Sequence, residues 1–191
     1  MSKRERRAGP RGLDAADMIS CAIALRETEG AASFSVRRLA SALGCDPMAV
    51  LYHFKSKEGL ERAMADALNG RLLPPDPAAP WRERLLDLAR QYRSIALACP
   101  ETFPLLQRFW VTGPADYRLA EVVYAAFAEA GLPDEVVVDV AFGWYATILG
   151  LASAEIGGLL RPASAADVAE VSALPADAFP TTRRLAPELG R

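Results

Sequence analysis

The side chains with the clearest chemistry lie in residues 35–57, SVRRLASALGCDPMAVLYHFKSK. At about 100° per residue, a helix beginning at Pro47 places Val50, Leu51 and Phe54 on one side. Met48, Ala49 and Tyr52 fall opposite, with His53 at the flank. A surface helix of ordinary composition would carry Lys, Glu or Gln there. Methionine, alanine and tyrosine can instead touch thymine methyls and base edges in a major groove, while tyrosine and histidine also donate to phosphate oxygens. Lys55 and Lys57 follow at the exit, placed to neutralise phosphates. The alternative is a plain helical hairpin ending in a solvated lysine pair.

The elements that must position these residues are legible from their caps. Ser35 can accept from the first-turn amides of a helix starting at Val36, and Phe34 before it can staple onto Leu39. Leu39, Ala40 and Leu43 form its apolar stripe, and Gly44 supplies the left-handed cap. Asp46 before Pro47 is a second start signal. Two helices separated by three residues make a helix-turn-helix candidate. A first helix over Asp14–Glu29, with Met18, Ile19, Ala22, Ile23 and Leu25 at near-helical spacing, ends at Gly30 and would pack on both. A fourth, from Lys57 to about Leu73, carries Leu60, Met64 and Leu68 at four-residue spacing.

The run from Leu13 to Ala67 resembles the DNA-binding domain of the TetR family of bacterial transcriptional regulators. The resemblance rests on a first helix ending in EG before FSVRRLA, then LGCDPMAVLYHF, then KSKEGL, of which HFKSKE is the most specific part. It implies that Arg37, Pro47, Met48, Ala49 and Tyr52 face base edges and that Lys57 holds the backbone. Ser35, Arg38, His53 and Lys55 complete the candidate DNA-binding set. One departure stands out: the family commonly has tyrosine at the position of Leu51 and often an aromatic at His53. The hydroxyl is here displaced to Tyr52, and Tyr52 and His53 both remain candidates for the usual phosphate contact. The resemblance further implies that the fourth helix carries an allosteric signal and that late helices pair two subunits in a four-helix interface.

Composition sets the bounds. A chain of 191 residues, 51% hydrophobic, can bury a real core. The net charge of −2 conceals an asymmetry. Residues 1–70 carry 11 Lys and Arg against 9 Asp and Glu, and the remainder 11 against 15, so the basic balance sits with the helix-turn-helix. Cys21, Cys45 and Cys99 form no CxxC or metal pattern and read as reduced thiols, with a redox role for Cys45 as the alternative. The N-terminus is basic and polar without the apolar core of a signal peptide. The most apolar stretch, Val140–Ala154, is too short to span a bilayer. A cytoplasmic protein with no membrane partner is expected.

Residues 1–12, with five basic residues against one acidic, read as a disordered arm that adds phosphate attraction or serves only as a solubilising tail. PPDPAAP, residues 74–80, marks a boundary. After it come helical patterns over Trp81–Ala98, Glu101–Trp110, Pro114–Ala130 and Asp134–Leu159, with no convincing strand. Phe103, Phe109, Trp110, Tyr124, Phe127, Trp144 and Tyr145 are candidates to line a pocket for an apolar or flat ligand; the competing reading for each is core packing. Arg93, Arg108, Glu121 and Glu155 are possible polar anchors. Gly143, Gly150 and Gly157 recur at seven-residue spacing although each interior glycine costs a helix about 1 kcal/mol. Such a stripe admits a close helix neighbour, either a second subunit or a helix of the same one. Phe179, Leu185 and Leu189 suggest that the end of the chain docks rather than trails.

The expected fold is all-α: a basic arm over 1–12, an N-terminal three-helix helix-turn-helix DNA-binding domain with its connecting helix over 13–73, and a helical ligand-binding and dimerisation domain over 81–191. No catalytic residue, cofactor motif or metal-ligand spacing is recognisable, and His53 is the only histidine. The expected function is that of a ligand-responsive repressor binding a pseudo-palindromic double-stranded DNA operator as a homodimer and released by a small apolar or aromatic effector. The alternative is a DNA-binding regulator or architectural protein without an effector. The residues do not distinguish a repressor from an activator.

Overall fold

The computed structural model describes residues 14–190, so the basic arm over 1–12 lies outside the described residues. Every regular element among the described residues is helical. They divide into two compact units, residues 1–153 and 154–191.

In the first unit, α1 (Ala15–Glu29) starts where the Asp14 carboxylate accepts from the Asp17 amide at 2.8 Å and stops at Gly30, whose φ of 82° suits glycine. Helix α2 (Val36–Leu43) is capped by Ser35, which accepts from the Arg38 amide, and ends at Gly44 in the left-handed conformation. Helix α3 (Pro47–Phe54) is capped by Asp46, which accepts from the Met48 amide at 2.7 Å. It ends at Lys55, whose φ of 66° is unusual for a side-chain-bearing residue. Ser56 then caps α4 (Lys57–Asn69). Phe34, Leu39, Val50, Leu60 and Met64 are buried and join these helices into one core.

The fourth helix ends at Asn69, short of the expected Leu73. Beyond it the chain turns and is then fastened to the next helix: Gln91 of α5 (Trp81–Ala98) accepts from the Leu73 amide at 2.7 Å and donates to its carbonyl at 3.1 Å. The expected helix over 101–110 is a single 3₁₀ turn, Phe103–Gln107, because Pro100 and Pro104 supply no amide donors to a longer ladder. Helix α6 (Pro114–Glu129) and the long α7 (Asp134–Ile156) follow. Gly157 therefore lies outside α7, in a turn completed by Gly158 at φ 79°, and the three-glycine helical stripe reduces to Gly143 and Gly150.

In the second unit, α8 (Ala165–Ser172) begins with a capping box between Ser164 and Asp167, α9 (Pro180–Leu185) follows, and a 3₁₀ turn spans Ala186–Glu188. Its buried apolar residue is Ala186; Phe179, Leu185 and Leu189 remain exposed, against the expectation that they dock.

Candidate functional site

The α3 surface is built from opposition. Val50 is fully buried, and this anchors one face of an eight-residue helix to the core. Met48 and Tyr52 are 68% and 76% exposed on the other. Ala49 and Pro47 are partly exposed, and His53 is exposed beside Tyr52, their rings meeting edge to face at 5.8 Å. The Lys55 ammonium lies 5.4 Å from the Tyr52 ring centre and donates to the Tyr52 carbonyl. Their exposure leaves an apolar side chain and an aromatic hydroxyl free to touch a partner.

The remaining candidates differ in availability. Arg37 is exposed. Arg38 is exposed but committed to Glu29 by donation from its Nε at 2.8 Å and by a second nitrogen, which lowers the Glu29 carboxyl and raises the Arg38 guanidinium. Ser35 spends its lone pairs as a cap but keeps its hydroxyl proton. Lys57 is half exposed and sits 3.6 Å from Glu61, a buried carboxylate that also pairs with Arg108 and lies 3.9 Å from Arg26.

Helix α4 abuts α3 through Gly59: a Cβ there would overlap the Phe54 carbonyl. At its other end α4 is bonded to residues that line a cavity. That cavity holds about 200 Å³ and is lined by Leu88 and Tyr92 of α5, Trp110 and Val111, the α6 face from Asp116 to Tyr124, and Ala141, Phe142, Trp144 and Tyr145 of α7. Four of the seven aromatic candidates therefore line it: Trp110, Tyr124, Trp144 and Tyr145. Phe103 is wholly buried in the core, Phe109 faces the Arg62 and Arg108 guanidinium groups, and Phe127 packs against Trp81. None of the four proposed polar anchors lines it. Arg108 is turned to Glu61, and the charged group present is Asp116.

Two of the lining residues, Tyr92 and Asp116, are tied to α4 by hydrogen bonds. Asn69 donates to the Thr112 hydroxyl at 3.1 Å and accepts from the Tyr92 hydroxyl at 3.2 Å. Asp66 accepts from the Ala115 amide at 3.0 Å, from the Asp116 amide at 3.4 Å and from the Thr112 hydroxyl, and so caps α6, which has no side-chain cap of its own. A Cβ at Gly113 would meet the Asp66 carboxylate at 2.7 to 2.9 Å, and glycine permits the approach. Burial raises the Asp116 carboxyl above its ordinary value, as does the Asp66 charge, against the Thr112 amide that it accepts from. Burial likewise pushes Tyr145 up to about 12 and Tyr92 well up; their rings pack edge to face at 5.5 Å.

Residues 19–64 match the bacterial regulatory proteins of the tetR family, and residues 73–189 match the tetracyclin repressor-like C-terminal domain. The chain belongs to the TetR family. Residues 19–64 carry the helix-turn-helix domain of this family of bacterial regulatory proteins. An HTH-type transcriptional regulator of Saccharopolyspora erythraea is 28% identical over 141 residues, 72% of this chain and 59% of that protein; the chain thus spans about three fifths of that relative's length. ActR of Streptomyces coelicolor, solved in complex with actinorhodin, is similar with a TM-score of 0.82 at 20% identity, over 94% of this chain and 88% of that one. BioQ, solved with its double-stranded DNA operator, gives a TM-score of 0.68 at 24% identity over 78% of this chain and 89% of that one. The TetR fold accounts for α1 to α7 in the order found.

Proposed function

We propose that the chain is a ligand-responsive repressor: a homodimer that binds a pseudo-palindromic operator through α3 and is released when a small, largely aromatic effector fills the cavity. The observation that carries this reading is the double engagement of α4. Its first turn holds Lys57 and abuts the end of α3 at Gly59, while Asn69 and Asp66 in its last turns are hydrogen-bonded to Tyr92 and to the Asp116 amide, two residues that line the cavity. An occupant that moves α6 or Tyr92 must move α4, and α4 carries the reading helix. ActR bound to actinorhodin and BioQ bound to an operator support both halves of the reading. A coupling of about 3 kcal/mol would change operator affinity roughly 150-fold.

The second copy has a natural place. Val140 and Leu151 of α7 are exposed on the side that carries Gly143 and Gly150, where added Cβ atoms would meet nothing within 4 Å. Helix α7 is 23 residues long and apolar enough to cross a membrane by length and composition, longer than the charge-free run within it suggests. Pairing with α7 of a second subunit would cover this face without a membrane, place the regulator in the cytoplasm, and set two α3 helices for a two-fold site.

The test is selection of a site from fragmented genomic DNA, followed by titration of the complex with flat aromatic compounds. At least one is expected to weaken operator binding by wild type but not by the cavity-filling variant Val123→Trp, which still binds the operator. An equal response of that variant would sink the reading. Failure of every compound would favour the alternative, a regulator without an effector.

A further inference from the structure

We propose that the cavity is built for an organic cation: a flat aromatic body bearing a protonated nitrogen, with Asp116 as its counter-ion. This rests on the reading of the cavity as a ligand site and narrows the class of ligand. Asp116 is the one acidic residue in the lining, and among the described residues no lysine, arginine or histidine lines the cavity. Around it stand aromatic rings from four segments of the chain: Tyr92, Trp110, Tyr124, Phe142, Trp144 and Tyr145.

Each feature selects in the same direction. Ring faces carry negative quadrupole density and attract a cation, more strongly once it is desolvated. A carboxylate in a largely apolar enclosure is stabilised by an incoming positive charge and opposed by a negative one. The Asp66 carboxylate beside the same helix terminus adds to the negative potential, and nothing cationic from the lining offsets it. A carboxylate or phosphate ligand would meet the Asp116 carboxyl and no base from the lining. A neutral hydrocarbon would fill the space but leave Asp116 as it is.

The location of the charge also explains why it would be felt at a distance. Asp116 is the third residue of α6, and its own amide and that of Ala115 donate to Asp66 of α4. A cation drawn to Asp116 therefore acts on the turn of α6 whose cap is supplied by α4. The charge-bearing end of the ligand would be the end that signals, while the aromatic body supplies affinity.

Three probes of one shape separate the possibilities in the absence of DNA: proflavine, a flat three-ring cation; 2-aminoanthracene, neutral at pH 7; and 2-anthracenecarboxylate, an anion. Their binding to the full chain is measured by calorimetry or fluorescence, with Asp116→Asn beside wild type. Proflavine is expected to bind about tenfold or more tighter than the carboxylate to wild type, with Asp116→Asn reducing that preference about tenfold. The wild-type comparison needs no variant to fold. An anion or neutral compound that binds as well as the cation would overturn the charge assignment while leaving the cavity a ligand site. An undiminished preference in a folded Asp116→Asn would overturn the role of Asp116. Binding by none of the three, with Val123→Trp unchanged in every titration, would overturn the ligand-site reading and this inference with it.

Discussion

The reading surface and the cavity solve opposite problems with the same residue types. On α3, apolar and aromatic side chains are pushed into water on a helix only eight residues long, and Val50 and two capped ends hold it in place. Around the cavity, aromatic side chains enclose a space that the core leaves unfilled, and the order comes from polar bonds between distant segments, including a cap for α6 supplied by Asp66 of α4. A protruding surface can be specified locally. An enclosed one cannot, because its walls come from α5, α6, α7 and the segment at Trp110 and Val111. The contrast suggests that substitutions at α3 should change DNA affinity with little effect on stability, whereas those at the α4 junction should change both.

The largest effect is expected where the two regions are tied. Gly59→Ala puts a methyl into the Phe54 carbonyl, a backbone atom that cannot rotate away. Thermal unfolding should show a loss of about 3 kcal/mol and operator binding should fall at least a hundredfold. Unchanged binding would show that α3 and α4 can separate without cost. Next, Leu151→Glu places a charge on the exposed face of α7 and should convert a dimer to monomers in sedimentation, with operator affinity lost alongside. A variant that stays dimeric would move the interface elsewhere.

Tyr52→Ala sharpens the contrast from the other side. It should weaken operator binding by about 1–3 kcal/mol and leave the melting temperature within a degree or so, since the ring is exposed. A lowered melting temperature would make Tyr52 a structural residue.

These expectations follow how much of the molecule was readable in sequence. Ser35 and Asp46 announce their helices because capping involves a side chain and an amide two or three residues away; Asp14, taken in sequence as the first helical residue, is in fact the cap of α1. Gly44 announces a left-handed turn for the same local reason. Lys55 does not: its positive φ is imposed by the junction of α3 with α4 and has no signature in residue type. Asp116 looks like any acid in a first helical turn, and its exposure to a cavity depends on where α5 and α7 lie. Tyr92 sat in an amphipathic run with nothing to mark it as facing Asn69. Phe103 and Phe127 have the same composition signal as Trp144, and only packing sorts core from lining. The third glycine of the α7 stripe was misplaced because a repeat of seven continues in sequence past the point where Gly158 ends the helix.

Smaller effects test the polar bonds between α4 and α6. Asp66→Ala removes the cap of α6 and should cost about 1 kcal/mol, measured by denaturant unfolding. Operator binding without a ligand should be nearly retained, and any response to ligand blunted. Smallest is the pH effect at Asp116. Its carboxyl is raised in the folded chain, so its contribution to stability is fully present below the ordinary aspartate range and is lost as pH rises through the raised value. Asp116→Asn should therefore melt slightly higher than wild type at neutral pH, and the difference should vanish on acidification. A difference that grew on acidification would contradict the cause assigned to the shift.

The most direct test of α3 as a paired reading head is the stoichiometry and affinity of the purified chain on a site selected from genomic fragments, at two salt concentrations, with Tyr52→Ala, Lys57→Ala as the comparison. Two chains per site, an affinity that falls steeply with salt, and loss of selectivity in the double variant are expected. Selection of no site above random DNA, or full selectivity in the double variant, would contradict it.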